Sequence, residues 1–224
     1  MEGPKPLQIY KKLRAHFGFL DWWPGDTNFE VFVGAILTQQ TTWKNVEKAI
    51  ANLKSSDSLS VKKIANMTIS KLERLVRPSG YYHQKAGRLK SICRAILKEH
   101  GTFENLLAKD REELRKILLS YNGIGRETAD SIILYAANKP IFVIDAYTRK
   151  SINRINPSVK KDADYDELRN YFERNLKGNL TLYQDFHAQF VQLGKNYCKS
   201  KPLCSRCPLK GVCAYGIAEN RHAS

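Results

Sequence analysis

The chain has 224 residues, 42% of them hydrophobic and 10% aromatic, which excludes global disorder and leaves room for one large domain or two intimate lobes. Its 37 Lys and Arg against 22 Asp and Glu give a formal charge of +15, a field that attracts polyanions such as nucleic acid or an anionic membrane. No apolar run reaches 18 residues and the N-terminal stretch holds no signal-peptide core, so a cytoplasmic protein with no membrane partner is expected.

Taken in chain order, the dominant period is helical. Asn28 is a candidate cap for FEVFVGAILTQQ, which is apolar on nearly every face and therefore expected at the centre of a core. A polar collar, Thr38 to Thr42, follows, and then an amphipathic run from Trp43 to Leu53. Residues 54–63 read as the most loop-like piece. Ser70 and Glu73 have capping-box spacing at a helix start, and Pro78-Ser79-Gly80 ends that helix. In QKAGRLKSICRAILKEH, the residues Leu89, Ile92, Cys93, Ile96 and Leu97 form one helical stripe, closed by Gly101; Cys93 reads as a small core residue. Asp110 caps a further helix through Leu119. Only IFVI at 141–144 has strand character, and four residues cannot make a sheet. The expected fold class is all-α.

LRKILLSYNGIGRETADSIILYA reads as helix, tight turn, helix. Gly123 and Gly125 permit positive φ and close backbone approach, Ile124 can plug back into the core, and Arg126 opens the second helix. The start of that helix suits a phosphate oxygen. An ordinary helical hairpin, with glycines serving only the bend, is the plainer reading; the charge of +15 tilts the choice toward a DNA backbone.

Four of the five cysteines lie in the last 27 residues, as Cys198-x5-Cys204-x2-Cys207-x5-Cys213. In a reducing compartment such crowding argues for a metal centre over disulfides. Structural zinc usually arrives on two C-x2-C knuckles, whereas here one C-x2-C is flanked by long arms, which favours a [4Fe–4S] cluster over zinc. Lys199, Lys201, Arg206 and Lys210 between the ligands would give the tied loop a cationic face, and no glycine-rich nucleotide loop accompanies it, so the cluster reads as structural.

Together the GIG turn with its helices, the aspartate of VID and the four terminal cysteines resemble the endonuclease III superfamily of base-excision DNA glycosylases, over nearly the whole chain. The first cysteine gap departs by one residue from the commonest family pattern. The resemblance implies a two-lobed helical monomer bound to double-stranded DNA with a damaged base. A six-helix barrel would span 22–139, and residues 1–21 with 140–224 would form a cluster lobe. The target nucleotide would be flipped out for reaction. Gln40 matches the family position that fills the vacated space in the duplex, although a solvated helix-end glutamine is the plainer account. Asp145 matches the essential carboxylate, which stabilises an oxocarbenium-like sugar and orients or deprotonates water; read without the family it is a helix N-cap, and it can be both.

Family members that also cut the backbone carry a lysine where Glu127 stands, and glutamate cannot form the imine. The resemblance therefore implies a monofunctional enzyme that uses water, with Lys150 the alternative amine. The adenine-removing branch would place its carboxylate at Ala35, which has no ionisable group. The sequence is more similar to the 3-methyladenine glycosylases, through WWP (22–24), LTQQTTW (37–43), RPSGYYHQKAGRL (77–89) and GIGRETADSI (123–132). There Trp22 and Trp43 match the pocket aromatics, Glu127 could complement a cationic base, and Trp23 reads as a core anchor. Alkylated adenine is cationic, so ring faces attract it by about 0.5–2 kcal/mol each. A glycosylase for oxidised or deaminated pyrimidines, or a DNA-binding module without chemistry, are the alternatives.

Overall fold

The computed structural model describes residues 3–222, and side chains through Glu219. Helices dominate, and no strand occurs among the described residues, so the chain is all-α. It divides into two compact units: Trp23–Lys139, and the residues up to Trp22 together with those from Pro140.

The continuous unit begins with α2 (Asn28–Leu37), which follows the N-terminal α1 (Pro6–Phe17) of the other unit. Every α2 residue from Phe29 to Leu37 is buried, because no face of this helix is polar enough to meet water. Thr27, not Asn28, is its N-cap, accepting from the Glu30 amide at 3.1 Å. Around α2 lie α3 (Trp43–Ser55), α4 (Val61–Asn66), α5 (Ile69–Val76), α6 (Tyr82–His100), α7 (Phe103–Ala108), α8 (Arg111–Ser120) and α9 (Arg126–Ser131). A π-helical turn, Ile132–Ala136, extends α9 and packs on α2. Phe29, Phe32 and Phe103 meet at centroid distances of 5.1–5.8 Å, and each buried ring contributes roughly 1.5–3 kcal/mol.

Two further local expectations are corrected here. The stretch 54–63 is not one loop: α3 runs to Ser55 and α4 starts at Val61. Ser70 does not open a capping box, since α5 starts at Ile69 with Thr68 as N-cap, which puts Ser70 inside the first turn. Buried Leu72 and Val76 draw the helix two residues earlier than its polar signal. The stop does fall at Arg77–Ser79 and Gly80, where φ is 69°.

The second unit holds α1, α10 (Ala146–Ile155), α11 (Tyr165–Leu176), α12 (Leu180–Asn196) and α13 (Ala214–His222). Its core stacks Phe142 on Phe172 at 4.3 Å and Phe186 on Phe190 at 4.7 Å. Ile141–Ile144 is buried but lies outside any helix or strand, and side chains satisfy two of its amides: Phe142 donates to Glu173 and Ile144 to Tyr165. Asp185 ties the N-terminal segment in. Although only 1% exposed, it accepts from the Tyr10 hydroxyl, the Arg14 guanidinium and the Leu20 amide at 2.8–2.9 Å. With this many donors the buried carboxylate is left with no missing partner.

Candidate DNA-repair active site

In the continuous unit, α8 and α9 form the hairpin around the glycine turn. Ile124 is 5% exposed and anchors the turn in the core. Gly123 adopts φ 91°, and a β-carbon there would lie 2.4 Å from the Arg88 Cδ. Gly125 does not need the left-handed region: it is the extended N-cap of α9 at φ −89°, and a β-carbon there would meet open space. Buried Asp130 fixes the two helices by pairing with Arg115 at 2.6 Å. Arg126 and Glu127 are exposed in the first turn of α9.

Two residues without an assigned role brace the collar, Gln39 by tying it to this hairpin and Lys85 by tying the end of α2 to the turn before α6. The Gln39 side-chain amide donates to the Gly123 carbonyl at 2.9 Å and to the Thr128 hydroxyl at 3.1 Å. Lys85, 1% exposed, donates to the carbonyls of Leu37 at 2.9 Å and Ser79 at 2.6 Å, and burial pushes its amine down to about 8. Lys85 thus satisfies a carbonyl at the end of α2 that the helix cannot. Directly beyond, Gln40 is exposed in the left-handed region at φ 55°, a conformation costly for a residue with a β-carbon. Trp43 stands edge-on to Trp23 at 5.3 Å, and Trp23 continues to Tyr135 at 5.2 Å, in keeping with an anchoring role for Trp23. An open depression of about 340 Å³ lies beside Trp43, lined also by Pro24, Asp26, Glu30 and Glu47.

In the other unit Asp145 is the N-cap of α10, its Oδ1 accepting from the Thr148 amide at 2.6 Å. Its Oδ2 lies 3.6 Å from Nε2 of His187, a buried residue of α12. Burial pushes the carboxyl up, but His187 and the Thr148 amide outweigh it and hold Asp145 below the ordinary aspartate range. The half-buried Trp22 carries the Lys195 ammonium 5.5 Å from its ring centroid. Lys150 lies 5.3 Å over the Tyr147 ring. At position 35 there is a buried alanine.

Cys198, Cys204, Cys207 and Cys213 all line one cavity, with Ile155 and Leu193 among its apolar walls, and none forms a disulfide. Among the described residues no group of three or more His, Cys, Asp or Glu is gathered as a site for a metal ion. Burial raises the thiols of Cys204, Cys207 and Cys213, Cys207 to about 11, and neighbouring cysteines push the same way. Thiols crowded into such a pocket ionise readily only against a cation. Four cysteine thiols lining one cavity are the donor type of zinc and iron–sulfur sites alike. Arg154 braces the loop, donating to the carbonyls of Lys199 at 2.6 Å and Ser200 at 3.1 Å.

Residues 33–177 match the profile of the HhH-GPD superfamily of base excision DNA repair proteins, and the chain belongs to that family. A candidate DNA repair glycosylase of Methanocaldococcus jannaschii is 46% identical over 208 residues, covering 92% of this chain and 94% of the relative. The endonuclease III of Thermotoga maritima is 28% identical over 188 residues, covering 84% and 83%. Among solved structures, the 3-methyladenine DNA glycosylase MagIII of H. pylori, bound to 1,N6-ethenoadenine, superimposes with a TM-score of 0.75 at 34% identity, over 86% of this chain and 98% of that one.

Proposed function

We propose that this protein is a monofunctional DNA glycosylase that everts alkylated purines, chiefly 3-methyladenine, and releases them by hydrolysis of the N-glycosidic bond. Two separate observations carry the mechanism: a glutamate, Glu127, in the first turn of α9, and, in the other unit, Asp145 held ionised at the start of α10. A carboxylate at 127 cannot form an imine, so water is the nucleophile, with Asp145 orienting or deprotonating it and stabilising the cationic sugar. Gly123 to Arg126 would meet phosphate and Gln40 would fill the gap left by the flipped nucleotide.

Support for a cationic base comes from the aromatic residues. Trp22 already accepts an ammonium on its face, and Trp43 presents a half-buried ring beside an open depression where Lys54 pairs with Asp26 and Glu30 and Glu47 adds a further carboxylate. The 34% identity to a 3-methyladenine glycosylase supports the same substrate class. Cys198, Cys204, Cys207 and Cys213 would hold a [4Fe–4S] cluster, which when bound would tie the terminal loop and fix its lysines and arginine toward phosphate.

The test is mass spectrometry of bases freed from methylated DNA, with strand integrity followed separately. Free 3-methyladenine should appear with no strand break before alkali. A covalent adduct trapped by borohydride would overturn the water mechanism. The kinship with endonuclease III favours, as a second reading, excision of oxidised or deaminated pyrimidines; a panel of single-lesion duplexes separates the two.

A further inference from the structure

The second oxygen of Asp145 has a partner whose role the reaction as described does not use. On α10 the backbone holds one side of the carboxylate, through the Thr148 amide to Oδ1 at 2.6 Å. The other side faces α12, where His187 Nε2 lies 3.6 Å from Oδ2. The histidine is 4% exposed and shares its stretch of α12 with buried Phe186 and Phe190 and with the buried polar residues Asp185 and Gln189.

The approach of the two helices is built in. A β-carbon on Gly194 would lie 2.2 Å from the Tyr147 ring, so glycine is what allows α12 to reach the first turn of α10. His187 lies seven residues before Gly194, two helical turns along the same face, and Tyr147 is two residues beyond Asp145. The same close crossing therefore sets both contacts.

We propose that His187 is a positioning residue for Asp145: from α12 it holds the second carboxylate oxygen while the α10 amide holds the first, fixing the rotamer that addresses water. This rests on the reading of Asp145 as the catalytic carboxylate. At 3.6 Å the contact is longer than a hydrogen bond, as catalytic contacts often are in a protein without substrate.

The experiment is single-turnover excision from methylated duplex DNA, with duplex affinity and melting temperature measured in parallel, for H187F, H187Q, D145N and the double variant D145N/H187F. H187F should slow excision on the order of 10–100-fold with affinity unchanged, because it misplaces the carboxylate without touching DNA. H187Q, whose amide N–H reaches the same oxygen, should recover most of the rate. In the D145N background H187F should cost nothing further, since the two residues act as one unit. Wild-type rate in H187F beside a crippled D145N would overturn the positioning role alone. A fully active D145N would remove Asp145 from catalysis and His187 with it. If H187F does not fold, H187N, too short to reach, against H187Q gives the same contrast.

Discussion

The helix N-termini of α9 and α10 are built in opposite ways. At α10 the cap is a side chain: Asp145 closes on the Thr148 amide and His187 approaches its other oxygen, so the charge is held within the protein. At α9 the cap is Gly125, which has no side chain to close the end and whose missing β-carbon faces open space. One terminus keeps its anion; the other is shaped for an anion that arrives from outside. Under the proposed function, chemistry and docking would be allotted to different helix ends, the closed end holding the carboxylate and the open end meeting phosphate.

The largest expected effect comes from breaking the closed end. Asp145→Asn keeps an N-cap, so the fold should persist, but base release should fall by about 10³-fold or more while duplex binding survives, as single-turnover and binding assays would read. Cys207→Ala tests the proposed cluster in the loop that follows α12: iron and sulfide analysis should find both in the wild type and neither in the variant, with a lower melting temperature but an intact hairpin unit.

Lys85→Met should cost about 2–4 kcal/mol in denaturant unfolding, because it strands two buried carbonyls beneath the collar. Lys85 also has a signed pH dependence. Its amine sits at about 8 in the folded chain against 10.5 otherwise, so between those values the unfolded chain binds more protons and stability rises with pH. Roughly 3 kcal/mol of penalty, imposed in full below pH 8, is relieved by about pH 10.5, and Lys85→Met should erase that slope.

Opening the open end further is a smaller change. Gly123→Ala, at φ 91° and against Arg88, should cost about 1–2 kcal/mol and weaken duplex binding more than excision from bound DNA. Gln40→Gly is the smallest in stability and the sharpest in meaning. Removing the β-carbon at φ 55° should raise stability by about 0.5–1 kcal/mol, while excision drops about tenfold if the strained side chain fills the duplex. A variant that gained stability and kept full activity would leave Gln40 a plain helix-end residue.

Several features were legible because their signals are local. Asp145 before AYTRKSINR and Asp110 before REELRKILLS are caps by composition, and both cap. Ile124 between two glycines reads as a plug and is one. Local signals also misled where several polar residues stand together: Thr27 outcompeted Asn28, and the burial of Leu72 and Val76 set the start of α5 ahead of Ser70. The second glycine of the turn looked like another left-handed position, yet extended backbone suffices there. Gln39, Lys85 and His187 carried no local signal at all. Each earns its role from a partner far along the chain: Gly123 for Gln39, Leu37 for Lys85, Asp145 for His187.

What the sequence by itself determined was the helical class, the glycine turn, the ionisable groups available and the clustering of four thiols, since each depends on neighbours within a few residues. Only the tertiary structure decided which buried polar atoms meet. Desolvation makes an unmatched polar group costly, so its partner is set by how helices pack, and packing distances are not written in any short stretch of chain.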